Sequence, residues 1–250
     1  MTEKMKSLRE VAWAENVKTI AYALLIALLI RTFLFQPFNI PSGSMIPNLL
    51  IGDYLFVSKY SYGYSRHSFP FSPGLFDGRV LSGKPERGDI AVFKTPKDNR
   101  TDFIKRVIGL PGDEVQLRNS ILYINGVAVP RERIENFISR DRFGNVEEIA
   151  QYQETLPNGV AYTTLDSRLN ARSDNTGVYR VPAGHYFMMG DNRDNSADSR
   201  VPSEVGYVPL ENFVGKAQVI FFSTDSSARI WEFWGWPSAI RWGRIFDGLN

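Results

Sequence analysis

Between Val17 and Phe35 the chain carries almost nothing that water would solvate, and this restricts where the segment can sit. Ile20 to Ile30 reads IAYALLIALLI, eleven residues without a charge; Arg31 interrupts and Phe33-Leu34-Phe35 resumes. A helix needs about 17 apolar residues or more to cross a bilayer, so the stretch is near the lower limit. Arg31 lies close enough to its end to snorkel to the interface. A cleavable signal peptide ends in small residues, whereas this run ends in Arg31-Thr32-Phe33-Leu34-Phe35-Gln36-Pro37. Residues 17–35 therefore read as an uncleaved transmembrane anchor, rather than a signal peptide or the buried helix of a soluble fold. Residues 1–16 read as a cytoplasmic N-terminus. Lys4, Lys6, Arg9 and Lys18 precede the anchor core, and no Lys or Arg occurs from Gln36 to Ser58. Positive flanks stay inside, so everything after Phe35 is expected to be exported. In a bacterium with two membranes the expectation is a single-pass protein of the inner (cytoplasmic) membrane with the body of the chain in the periplasm.

The exported part is long enough for a sizeable core, in a chain of 250 residues with 43% apolar and 22% charged content. A net charge of +2 gives no broad polyanion-binding signature, so no nucleic-acid partner is expected. There is no cysteine, which excludes a disulfide frame, a thiol nucleophile and thiolate metal sites. His67 and His185 are the only histidines.

After the anchor, Pro37 and Pro41 break any helix. Leu49–Lys59 with a turn at Gly52-Asp53, Asp89–Lys94, Asp102–Leu110, Tyr186–Met189 and Val214–Phe222 read as strands. Pro111-Gly112-Asp113 is a turn, and Ser61–Pro85 a loop rich in Gly, Ser, Pro and aromatics. Asn125-Gly126 between Ile121–Ile124 and Val127–Val129 suits a type I′ hairpin. The fold class expected is mainly β: a catalytic body of antiparallel β-sheets with an inserted β-rich subdomain, preceded by one N-terminal transmembrane helix. The catalytic β domain is assigned to 36–112 and 178–228 and the inserted subdomain to 113–177. Within the insert, Arg131 to Gly177 is charged, polar and only weakly periodic. Residues 229–250 form a separate tail. Four of the five tryptophans lie between Trp231 and Trp242, alternating with Arg229, Arg241 and Arg244. Trp and Arg together suit the headgroup layer of a bilayer, and so many indoles in twelve residues are hard to bury at once. A C-terminal helix packed on the body is the alternative.

A serine hydroxyl is a weak nucleophile and needs a base. Ser44 lies in Pro41-Ser42-Gly43-Ser44-Met45, just beyond the anchor, where Gly43 lets the backbone approach a substrate. The Ser44 N–H and Ser42 hydroxyl are candidates for an oxyanion hole. Lysine can act as the base when burial makes it neutral near pH 7. Lys105, in Phe103-Ile104-Lys105-Arg106-Val107-Ile108, would share a strand face with Phe103 and Val107. Taken singly, Ser44 reads equally as a turn residue and Lys105 as a solvated side chain. A Ser-His-Asp arrangement through His185 and Asp191 stays open. Calcium at Asp191–Arg200 is rejected: counting from Asp191 the third position is Arg193, and counting from Asp194 the sixth and twelfth are Ser199 and Val205. Phe35 and Ser44 are nine residues apart, at most about 30 Å extended, so any chemistry at Ser44 happens close to the bilayer.

PSGSMIPNL, GDIAVFK, DFIKRVIGLPGD and GDNRDNSADSR, in that order after an anchor, resemble the box set of the bacterial type I signal peptidases, the Ser/Lys leader peptidases. The boxes cover about a fifth of the chain. The resemblance implies a serine endopeptidase with Ser44 as nucleophile and Lys105 as general base, without metal or cofactor. It implies that Ser42 joins the Ser44 N–H in the oxyanion hole, that Ser196 orients Lys105, and that Asp198 and Arg200 pair behind it. Phe38, Ile40, Met45, Leu49, Phe103 and Ile104 would shape two shallow pockets for small residues of an Ala-x-Ala cleavage site, although each also reads as core. Signal peptides of exported preproteins, the bilayer and the export translocon are the partners implied. A peptidase dedicated to a narrower substrate set is the alternative within the family, and an inactive anchored binding module the alternative outside it. The single anchor, where some relatives have two, and the lack of cysteine are the visible departures.

Overall fold

The structure is a computed structural model, and it describes residues 2–69, 78–140, 145–168, 171, 173–225, 227 and 232–249. Thr2–Leu29 is one α-helix, continued by a π-helical turn over Ile30–Leu34. No Gly or Pro occurs before Pro37, so nothing interrupts the helix. Pro37 then biases Gln36 to extended backbone. Glu15–Leu34 is long and apolar enough to cross a membrane and packs against almost nothing in the protein. The expected anchor differs at its end: Phe35 is the first residue of a strand, Phe35–Asn39, and pairs with Ser58. The helix passes into the sheet with no linker.

That sheet is antiparallel and has seven strands, in the order Phe35–Asn39, Asp53–Ser58, Phe213–Ser223, Ile90–Lys94, Asp102–Gly109, His185–Met189 and Val208–Pro209. Register places Ala91 opposite Lys105, and Met189 opposite Arg106. Three apolar clusters pack around the sheet. One holds Ile40, Met45, Leu49, Leu55, Val57 and Ile220 with Ile104 against it. A second holds Ile108, Val115, Leu122 and Phe187. The third holds Phe93, Val107, Tyr186 and Phe213 with Phe103 against it. The strand Asp102–Gly109 thus sends a side chain into all three, which fixes it tightly on every side.

The hairpin at Ile121–Ile124 forms as expected. Asn125 (φ 53°) and Gly126 (φ 79°) both take the left-handed backbone of a type I′ turn. Beyond it, Arg131–Arg133, Phe137–Arg140 and Ala161–Asp166 all pair with the long strand Val146–Thr155. Most of that long strand is solvated, which is why alternation is weak there. Tyr179–Arg180 pairs with Glu114–Arg118 and so belongs to the small sheet of the insert.

The tail is docked through its backbone. Phe246 donates to Ile220 O, Arg241 N–H to Ser223 O, and Arg244 grips the buried Asp53 carboxylate through Nη2 at 2.7 Å. Its rings nevertheless point outward, with Trp234 69% and Trp242 63% exposed. Arg229 and Trp231 lie outside the described residues. The only helices in the described tail are short, Trp236–Ala239 and the 3₁₀ turn Trp242–Arg244.

Candidate active site

Ser44 sits in a 3₁₀ turn, Gly43–Met45, entered from extended Ser42. The leading N–H groups of such a turn have no acceptor within it, so the Ser44 N–H is free to point at a ligand. Asn192 secures the turn from the far side. Its backbone N–H donates to Ser44 O (3.1 Å) and its Nδ2 to Gly43 O (3.0 Å). Gly190 makes this approach possible, because a Cβ there would lie 2.6 Å from Ser44 O and 2.2 Å from Ser196 Oγ.

Lys105 comes from the strand Asp102–Gly109. Its Nζ lies 2.6 Å from Ser44 Oγ and donates to Ile104 O at 3.0 Å. The two residues are 4% and 8% exposed, so little water competes for either polar group. The ammonium is 5.4 Å from the Phe103 ring centroid. Burial pulls the Lys105 pKa from 10.5 to about 8, although the Asp198 and Asp191 carboxylates pull the other way. A lysine in this state is neutral in a substantial fraction of molecules near pH 8, and its lone pair can then accept the Ser44 hydroxyl proton.

Asp198 and Arg200 pair as the resemblance implied, through Nε–Oδ1 at 2.9 Å and Nη2–Oδ2 at 2.8 Å. Burial pushes the Asp198 carboxyl up, but Arg200 and the Gly190 N–H outweigh it and hold the carboxyl below its usual range. Ser196 departs from expectation. Its hydroxyl is buried and makes no hydrogen bond to Lys105. The Lys105 amine turns toward Ser44 and Ile104 O, and Ser196 packs against the bare Cα of Gly190.

A cavity of about 580 Å³ opens over the pair, walled in part by Phe38, Ile40, Ser42, Phe103 and Ile104. Met45 and Leu49 do not reach this wall; both are fully buried in the core beneath it. Asn195 and Ala197, on the loop after Gly190, complete the cavity. Sequence reasoning missed them, although both fall inside the GDNRDNSADSR box.

It also missed what holds that loop. Asp191 takes a two-point grip from Arg106 (2.9 and 2.8 Å), with both side chains 1% exposed, and accepts from Asn48 Nδ2 at 2.7 Å. Arg193 clamps Glu154 of the insert, and Leu165 N–H donates to Asp191 O. The insert is therefore part of what positions the loop. The alternative triad finds no geometry. Asp191 is engaged by Arg106, and His185 Nδ1 lies 2.9 Å from Ala183 O at the start of its strand. The loop's acidic residues also gain distant neighbours: Asp194 comes together with Asp166 and Asp174, each offering an oxygen within 4.8 Å of the others. Asp166 already pairs with Arg131 there.

Comparison with known proteins adds an independent finding. The family model described as "Signal peptidase, peptidase S26" matches residues 13–222. Signal peptidase I of Rickettsia typhi is 43% identical over 253 residues, covering 94% of this chain and 93% of that protein. Signal peptidase I of Rickettsia conorii is 41% identical, covering 99% and 97%. A solved signal peptidase I from Enterococcus faecalis is 31% identical and covers 53% of this chain and 96% of its own, with a TM-score of 0.31.

Proposed function

The chain belongs to the signal peptidase family, peptidase S26, and we propose that it removes signal peptides from exported preproteins by a Ser44/Lys105 dyad. The observation that carries this reading is the buried 2.6 Å contact between Lys105 Nζ and Ser44 Oγ. Neutral Lys105 takes the Ser44 proton as Oγ attacks the scissile carbonyl, and the Ser44 N–H and Ser42 hydroxyl receive the oxyanion. The lysinium then protonates the leaving amine. In the second half, Lys105 takes a proton from water, which attacks the acyl-enzyme and frees Ser44.

The cavity's apolar wall supports a substrate with small residues before the cut, the Ala-x-Ala pattern. Met45 and Leu49 contribute to that wall only from beneath. Ser196, which lacks a bond to Lys105, packs beside Gly190 in this reading.

The part of the apolar helix from Val17 onward is the membrane anchor in this reading, with residues 1–16 cytoplasmic and the body periplasmic. The division into a catalytic domain, an insert and a tail belongs to the same proposal. The exposed indoles of the tail rest in the headgroup layer, and the site works near the translocon where preproteins emerge. The test is cleavage of a secretory preprotein in detergent by wild type, Ser44→Ala and Lys105→Ala. Cutting after Ala-x-Ala by wild type alone supports the dyad; near-full activity in Lys105→Ala overturns it.

A further inference from the structure

A second cavity, of about 700 Å³, lies at the end of the anchor helix, and Ser44 is not in its wall. Five basic side chains line it: Arg31, Lys59, Arg66, Lys94 and Arg100. Some of this charge is answered locally. Lys94 pairs with Asp102 at 2.8 Å and Arg66 with Glu211 at 3.0 Å. The Asp98 carboxylate is occupied by the Thr101 hydroxyl and the N–H groups of Arg100 and Thr101. Among the described residues no carboxylate forms an ion pair with Arg31, Lys59 or Arg100. Lys59 is only 2% exposed and donates to Ser68 O. Burial, then the charges of Arg31 and Lys94, draw its pKa from 10.5 to about 8. Lys59 is thus buried without a paired carboxylate, which is costly, and an anion held between it and the exposed Arg31 and Arg100 would relieve that cost.

The placement says which anion. Arg31 belongs to the π-helical turn that ends the anchor, and Lys59 N–H donates to Leu34 O, so the cavity is built onto the helix end. Phe69 in its wall meets the Phe33 ring edge-on, at 6.1 Å between centroids. Phe33 and Leu34 are themselves exposed beside it. A cationic hollow next to an exposed apolar helix matches a molecule with an anionic head and hydrocarbon tails.

We propose that this cavity binds the phosphodiester headgroup of an anionic phospholipid, with the acyl chains running along the anchor past Phe33 and Leu34. An acidic peptide would use the charges but would leave the apolar helix side unused. Asp102 lines both this cavity and the one over Ser44, so the headgroup is separated from the substrate cavity by one shared carboxylate. The proposal rests on the helix spanning a bilayer, which co-flotation of the full chain with purely zwitterionic vesicles tests separately.

The experiment is retention of phosphatidylglycerol against phosphatidylcholine by the full chain from mixed micelles, read by native mass spectrometry. Wild type is compared with Arg31→Gln, Arg100→Gln and the double variant, all with their unfolding midpoints checked. Both substitutions are on the protein's outer side, so loss of fold is separable from loss of binding; Lys59→Met is a third variant at the buried end. Each lost charge-assisted bond is expected to reduce phosphatidylglycerol retention about tenfold, with phosphatidylcholine unaffected. Equal retention of both lipids, or no effect of the variants, overturns the proposal. Inorganic phosphate displacing the lipid at equal concentration makes this a general anion site and overturns the lipid assignment. Unchanged lipid retention with a raised KM for preproteins bearing acidic residues after the cut assigns the cavity to peptide instead, and also overturns it.

Discussion

Among the described residues two buried lysines have a pKa that falls to about 8, and one of the two faces a hydroxyl. Lys105 reaches Ser44 Oγ, beneath a cavity with apolar walls. Lys59 donates to the Ser68 carbonyl, in a wall crowded with other cations. Desolvation is the leading cause in both places, but the second cause differs in sign. Carboxylates at Asp198 and Asp191 restrain the fall of Lys105, whereas Arg31 deepens that of Lys59. A lowered lysine pKa is therefore a general result of burial, and it becomes a base only where the surrounding backbone delivers a proton donor to it.

The largest test of this contrast is activity. Lys105→Ala or Ser44→Ala should reduce kcat by about 10⁴-fold or more, because the members of such a unit fail together. Single-turnover cleavage of a preprotein measures it, and less than about tenfold loss in Lys105→Ala would break the assignment. Next in size is Asp198→Asn, which strands the Arg200 guanidinium in the interior. We expect a loss of about 3–5 kcal/mol in denaturant unfolding. The same change removes a carboxylate that favours lysinium, so the acid limb of the rate profile should move to lower pH. A shift toward higher pH would show that Asp198 does not face the base.

Asn192→Ala comes third. It removes the side-chain half of the clamp on the Ser44 turn and should lower kcat by roughly 10-fold to 10²-fold with KM little changed. A pure stability effect without loss in kcat would reduce Asn192 to a packing residue. The smallest expected effect concerns pH alone. Wild-type activity should fall as pH drops below about 8, because protonated Lys105 cannot accept the serine proton. Lys59→Met should leave that midpoint in place; a displaced midpoint would mean that Lys59, not Lys105, sets the limb.

Much of this was legible because the site is assembled from contiguous boxes. The anchor, the strand around Lys105 and the Asn-Gly hairpin each carry their signal within ten or twenty residues, as period, apolar run or turn chemistry. The outer sheet of the insert was not legible strand by strand, since solvent on both faces erases alternation along Val146–Thr155. The supports of the loop after Gly190 were equally hidden. Arg106 and Asp191 are 85 residues apart, and Arg193 and Glu154 39 apart, and no local pattern announces a long-range ion pair. Ser196 shows the opposite error. The resemblance implied that it orients Lys105, whereas its hydroxyl makes no hydrogen bond to that amine in the structure.

The absence of a linker between Leu34 and Phe35 has a mechanical consequence. Lys59 N–H, just past the strand Asp53–Ser58, donates to Leu34 O, and Tyr64 Oη, from the separate two-stranded sheet, donates to Phe33 O, so the last helical turn is bolted to the body that carries the serine turn. Tilting the helix must then tilt the whole body, and lengthening it by one residue must also turn the body about the helix axis, by about 100° at 3.6 residues per turn. In the proposed membrane setting this makes the protein a gauge with a fixed arm, one that would select peptide bonds by their height above the membrane as well as by their side chains. Inserting a flexible spacer between residues 34 and 35 would convert a blade held at one depth into one that roams.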